Sequence, residues 1–194
     1  MMPFSQDYYD VNARSYHEST YGLSPSVFLE PFIRSLAPGA SILDIGCGSG
    51  RDMRWMKERG FSVTGLERSR RLANLAKNTS GCTVLEADFE TFDFSAGDWD
   101  AAMMVGALVH IPHARLFAVL DRIISGCCTM RTALITLKEG TGLVDAADGR
   151  RFYLWQDRDI RDIFAQTGLT VSSFFRNFSA TGSGESWLGY VTVK

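Results

Sequence analysis

The stretch Ile42-Leu43-Asp44-Ile45-Gly46-Cys47-Gly48-Ser49-Gly50 decides the fold. Its first half is short and apolar, as a buried strand is, and three glycines then alternate where that strand must turn into a helix. Without β-carbons the chain can turn tightly and a ligand can approach the backbone, while the next helix offers unsatisfied N–H donors at its start. A nucleotide-like ligand is the expectation. A dinucleotide site, GxGxxG, would want a small residue at position 51, which here is Arg51. The pattern is GxGxG, and pyrophosphate binding becomes the weaker reading.

Working outward, Ser24-Pro25 suits an N-cap followed by proline at the first helical position. Val27, Phe28, Phe32, Ile33 and Leu36 follow at helical spacing until Pro38-Gly39. Beyond the glycine turn the pattern predicts a helix from Gly50 to Arg59, a strand at Phe61 to Leu66, a helix at Ser69 to Asn78 and a strand at Cys82 to Glu86. Trp99 to Val105 and Ala133 to Leu137 read as strands covered on both faces, with a helix from Pro112 to Ser125 between them. A helix at Asp157 to Gln166 leads to two β runs, Thr170 to Phe178 and Trp187 to Val193, joined by a glycine-rich connection. The alternation predicts an α/β fold: an open, mostly parallel sheet with helices on both faces and an antiparallel hairpin strand at its end. Such sheets bind ligands beyond the carboxyl ends of their strands.

The bulk properties are those of one globular domain spanning residues 1–194, with 1–22 as an N-terminal cap or lid: 45% apolar, 12% aromatic and 22% charged residues. A net charge of -2 gives no electrostatic reason to expect a nucleic-acid partner. The basic runs Arg68-Ser69-Arg70-Arg71 and Arg150-Arg151 read more simply as solvated surface. Cys47, Cys82, Cys127 and Cys128 form no CxxC pair, and no window approaches the roughly 18 apolar residues of a membrane span. A cytoplasmic protein, monomer or homodimer, with no membrane partner is expected.

Two acids stand where the next strands end. Glu67 follows the second strand, where a carboxylate can accept from both hydroxyls of a ribose; Asp88 follows the third, where it can accept from an exocyclic adenine amine beside the Phe89 ring. Each alone could be a solvated loop acid, and Asp44 could merely cap the following helix. Cys47 reads as a small filler within the turn rather than a nucleophile.

Taken in order, Asp44 to Gly50, Leu66-Glu67, Ala87-Asp88-Phe89 and the segment from Asp98 to Pro112 resemble four motifs of the Rossmann-like (class I) S-adenosylmethionine-dependent methyltransferases, small-molecule type. The resemblance implies a Rossmann-like three-layer sandwich with a mostly parallel seven-stranded sheet. It also implies S-adenosylmethionine as cofactor and S-adenosylhomocysteine as product. It places cofactor contacts at Asp44, Gly46, Cys47, Gly48, Glu67, Arg68, Asp88 and Phe89, and at the backbone carbonyl of Met104. The segment from Tyr8 to Tyr16 is similar to one that closes over the cofactor in small members, making Arg14 and Tyr16 expected lid contacts. The chain departs from the family before the fifth strand, where Ile124 to Met130 stands in place of a proline and two glycines.

Methyl transfer from a sulfonium needs mainly alignment and exclusion of water, with a base only where the acceptor loses a proton. His110, at the ligand edge of the sheet and titrating near neutrality, is the candidate base; a capping or packing role is its alternative. His110 and His113 flank Pro112 without a nearby third ligand, so no metal is expected. After the fifth strand, Lys138, Arg150, Arg151 and Tyr153 fall in a loop mixing glycines, charges and aromatics, the expected pocket for a small-molecule methyl acceptor. Two other functions fit less of the pattern: an NAD-dependent oxidoreductase, and a non-catalytic module that senses S-adenosylmethionine.

Overall fold

The computed structural model of the chain describes residues 4–179 and 184–194. Residues 1–3 of the expected N-terminal cap and 180–183 of the glycine-rich connection lie outside the described residues. In chain order, helices α1 (Phe4–Val11), α2 (Ala13–Thr20) and α3 (Ser26–Ile33) precede strand β1 (Ser41–Ile45). Helix α4 (Arg51–Lys57), β2 (Ser62–Glu67), α5 (Arg70–Ser80), β3 (Thr83–Glu86), β4 (Ala101–Val105), α6 (His113–Gly126) and β5 (Thr132–Lys138) follow. Then come β6 (Leu143–Asp145), β7 (Arg151–Tyr153), α7 (Asp157–Gln166), β8 (Thr170–Phe178) and β9 (Ser186–Val193).

Seven strands make one sheet in the order β3-β2-β1-β4-β5-β9-β8. The first five are parallel; β9 runs antiparallel to both β5 and β8. This is the expected Rossmann-like three-layer arrangement with an antiparallel hairpin at its end. The order reverses at β1, whose neighbours are β2 and β4, so a crevice opens there at the strands' carboxyl ends.

Apolar side chains cover both faces of the sheet. One cluster joins Leu43, Ile45, Ala102 and Met104 to Leu116, Leu120 and Ile123 of α6; the other joins Ile42, Ala101 and Met103 to Met53, Met56, Ala73 and Ala76 of α4 and α5. The continuous apolar runs of β1, β4 and β5 are what burial on two faces requires.

Three local readings change. Pro25 itself occupies the cap position of α3, one residue later than expected, with Ser24 and Ser26 hydroxyls hydrogen-bonded at 3.0 Å. The N-terminal cap is two helices. The loop after β5 contains an antiparallel β6–β7 pair, tied to the body by a bridge between Glu139 and Trp155. In the stretch before β5, where the resemblance led one to expect a proline and two glycines, Gly126 packs against Phe94, and Thr129 clips the backbone of Trp99 by giving and accepting a hydrogen bond.

Candidate functional site

The glycine turn needs its glycines for different reasons. Gly46 has φ of +71°, and a β-carbon there would sit 2.7 Å from that of Ala107, so the turn can touch the loop after β4 only without a side chain. Gly50 does not face a ligand: a β-carbon would meet the α5 backbone at Ala76 at 2.8 Å, so its role is to seat α4 against α5. Arg51, the residue that spoils the dinucleotide pattern, opens α4 and pairs with Asp52 at 2.6 Å.

Glu67 is fastened to this turn. One carboxylate oxygen accepts the Gly48 amide at 3.0 Å and the other the Ser69 amide at 2.8 Å, fixing the carboxylate at the end of β2 with lone pairs to spare. Burial pushes its proton affinity up, and the two amides oppose that. Asp44 lies deeper, 2% exposed, and its Oδ2 has no hydrogen-bond partner among the described residues. Burial and the Asp52 charge raise its pKa well above the usual carboxylate range. Asp88 accepts the Glu90 amide at 2.9 Å and stands 3.7 Å from the Arg68 guanidinium.

The N-terminal helices close the site from the other side. Asp10 holds α1 to the start of α5 through the Ser69 hydroxyl at 2.9 Å and the Arg71 amide at 3.3 Å. Tyr16 lies against Gly48, and its ring meets that of Tyr9 edge-on at 5.2 Å. Tyr9 reaches the loop after β4, where its hydroxyl is 2.8 Å from His110 Nε2. His110 Nδ1 is 2.6 Å from the Arg151 carbonyl. A carbonyl only accepts, so the proton of the imidazole sits on Nδ1, and Nε2 accepts from the tyrosine. Burial, with Arg150, Lys138 and Arg68 nearby, lowers His110 to about 4, so the ring is neutral at pH 7.

These groups surround a cavity of about 340 Å³, within the range of small-ligand sites. Gly46, Gly48, Glu67, Arg68, Asp88, Phe89, Tyr16, His110, Arg151 and Tyr153 all line it. Asp44, Cys47, Met104, Lys138 and Arg150 do not. Cys47 turns its sulfur toward Gly65, and burial raises its thiol. The Met104 side chain is in the core. Lys138 is 6% exposed, pairs with Glu185 and lies 3.6 Å from the Phe152 ring centroid. Arg150 pairs with Asp148 and covers the Tyr8 ring at 4.7 Å, while Arg14 points outward to Glu18. His113 gives its ring nitrogen to the Leu154 carbonyl at 2.8 Å. Both histidines therefore hold the backbone of the β6–β7 segment.

Sequence reasoning passed over Tyr9, Glu90 and Arg115 as site residues. Glu90 and Arg115 form an ion pair at the cavity wall. The signal for Tyr9 was its place in the Tyr8 to Tyr16 segment that resembles a cofactor lid.

Residues 42–127 match the family described as "Methyltransferase domain". A 2-methyl-6-phytyl-1,4-hydroquinone methyltransferase of Synechocystis is 28% identical over 174 residues, 82% of this chain and 50% of its own length. Cycloartenol-C-24-methyltransferase 1 of Oryza sativa is 34% identical over 39% of this chain and 24% of its own. The chain thus spans about half or less of the curated relatives it matches. Among solved structures, magnesium protoporphyrin IX methyltransferase of Synechocystis PCC 6803 with bound S-adenosylhomocysteine superposes with a TM-score of 0.78. That match has 16% identity and covers 97% of both chains. The 1,6-didemethyltoxoflavin-N1-methyltransferase of Burkholderia thailandensis gives 0.73 at 19% identity, covering 97% of this chain and 84% of that one. The fold is that of the Rossmann-like class I methyltransferases, and residues 42–127 carry the match to a methyltransferase domain.

Proposed function

We propose that this protein transfers a methyl group from S-adenosylmethionine to a small-molecule acceptor and releases S-adenosylhomocysteine. The observation that carries the reading is the convergence of Gly48, Glu67 and Asp88 on one cavity, with the Glu67 carboxylate pinned by the turn's own amide. The chemistry present fits the cofactor: a buried carboxylate for vicinal hydroxyls, a second acid beside the Phe89 ring, and an unpartnered Asp44 oxygen under the glycine turn. When bound, the cofactor supplies a methyl group on a cationic sulfur that leaves as a neutral thioether.

The residues of the chain then have separable tasks. Glu67 orients the ribose, and Asp88 with Phe89 selects the adenine. Tyr9 and Tyr16 shut water out from the N-terminal side. Arg151 and Tyr153 form the acceptor's wall, and His110, neutral and held by the Arg151 carbonyl, is the group on which a departing proton comes to rest. Lys138 and Arg150 act behind that wall, as braces of the β6–β7 segment. Among the described residues no helix is long and apolar enough to cross a membrane. The adjacent free thiols Cys127 and Cys128 suit a reducing cytoplasm, where the protein works as a monomer or homodimer.

The test is transfer of labelled methyl from S-adenosylmethionine into pools of small molecules by the purified chain. Labelled product that disappears in Glu67→Ala supports the proposal; cofactor binding without transfer to any pool favours a sensing module instead.

A further inference from the structure

The hydrogen bonds around His110 run in one direction. Its Nδ1–H is committed to the Arg151 carbonyl, so Nε2 offers a lone pair, and the Tyr9 hydroxyl must donate to it at 2.8 Å. That leaves the Tyr9 oxygen as an acceptor, with the positive Arg150 guanidinium close enough to act on it electrostatically. Arg150 is held in place by Asp148 at 2.7 Å and by the Tyr8 ring. Tyr9 and His110 both line the cavity, but Nε2 is covered by the tyrosine hydroxyl. Behind His110 stands a carbonyl, where many catalytic histidines have a carboxylate, so an imidazolium formed here is short-lived and gives its proton back readily.

We propose, on the footing of the methyltransferase reading, that Tyr9 is the residue that takes the acceptor's proton and passes its own to His110, that Arg150 positions it, and that the acceptor is a neutral phenol-like hydroxyl. As the acceptor oxygen attacks, its O–H bond breaks and the proton goes to the Tyr9 oxygen while the Tyr9 proton goes to Nε2. The electron pair left on the acceptor oxygen forms the bond to the methyl carbon, and the carbon–sulfur pair stays on sulfur as the thioether. The imidazolium later returns its proton through Tyr9 to water. The Arg150 guanidinium offsets charge that builds on the tyrosine oxygen during the relay. Carboxylates and thiolates, already ionised, gain nothing from such a chain. The walls on the acceptor's side suit a flat ring: Ile111, Pro112 and Tyr153 face the same space.

The experiment uses the full chain, wild type and Tyr9→Phe, with labelled S-adenosylmethionine and a series of phenols graded in acidity, alongside aliphatic carboxylates and thiols. Calorimetry with S-adenosylhomocysteine comes first: binding by both proteins confirms that the variant is folded at the cofactor site, and no binding by the wild type defeats the underlying methyltransferase reading instead. The expected result is turnover of phenols, with kcat about 100-fold lower in Tyr9→Phe for weakly acidic phenols and recovery toward wild type for phenols ionised at the assay pH. A uniform loss across the series, no turnover of any phenol by a wild type that binds S-adenosylhomocysteine, or preferential methylation of carboxylates or thiols overturns the proposal. A second readout needs neither cofactor nor acceptor. Nitrogen-15 shifts of the His110 ring should show the proton on Nδ1, with the Nε2 resonance moving in Tyr9→Phe; a proton on Nε2 overturns the relay.

Discussion

The Gly48 amide donates to the Glu67 carboxylate at 3.0 Å, joining the turn after β1 to the acid at the end of β2. Two sequence signals that seemed separate are one device. The turn must bend as it does for the acid to be held, and the acid holds the bend.

Glu67→Gln therefore affects binding and fold together. The amide group keeps one oxygen, so either Gly48 or Ser69 faces an N–H2 in place of an acceptor. A loss of about 1–3 kcal/mol in folding stability is expected, read as a lower melting temperature. Affinity for S-adenosylhomocysteine should fall at least tenfold by calorimetry.

Gly46→Ala puts a β-carbon 2.7 Å from the Ala107 side chain at a φ of +71°. Strain at such a position is of the order of 1–3 kcal/mol. Denaturant unfolding should show that loss, while Gly22→Ala, with open space around it, should stay within about 0.5 kcal/mol.

His110 gives stability a pH dependence with a definite sign. Its folded pKa, about 4, lies below the ordinary histidine value near 6.5, so between these limits the unfolded chain binds more protons. Stability from keeping the ring neutral is complete above about pH 6.5 and is lost as pH falls toward 4. Chemical denaturation of the wild type should lose up to about 3 kcal/mol more than His110→Gln between pH 7 and pH 4. Equal slopes in the two proteins would contradict a neutral buried ring.

Arg150→Ala removes the guanidinium that ties the β6–β7 segment to the Tyr8 ring of α1. Amide hydrogens of α1 should then exchange about tenfold faster, the equivalent of roughly 1.4 kcal/mol of local stability, while those of β1 and β4 stay unchanged. Mass-spectrometric hydrogen exchange resolves the two.

Much of the sheet was legible because the strands are buried on both faces and the stops are glycines: Ser41 to Ile45, Asp157 to Gln166 and Thr170 to Phe178 appear with the expected bounds. The β6–β7 pair was not. Leu143 and Val144 are about half exposed, and Gly140, Gly142 and Gly149 surround the pair, so its pattern is that of a loop. The N-terminal helices were read only as a cap or lid because they bury little: Ala13 is the one buried residue of α2, and helix identity there depends on docking against α5.

At the site, Glu67, Asp88 and the glycines were visible because each sits at a strand end, where topology brings distant segments together. Lys138 was misleading. A lysine after a strand reads as exposed, but this one is covered by Phe152 and answered by Glu185, which precedes β9, a partner sequence cannot pair with it. Tyr9 was hidden for the same reason: 101 residues separate it from His110.

The central claim is that this cavity takes S-adenosylmethionine. Titrating the purified chain with S-adenosylhomocysteine in a calorimeter tests it most directly. A single site with a Kd in the micromolar range, roughly that of ordinary enzyme ligands, weakened in Glu67→Ala and in Asp88→Ala, is the expected result. No heat with S-adenosylhomocysteine or S-adenosylmethionine, or a tight site for NADH in its place, would contradict it.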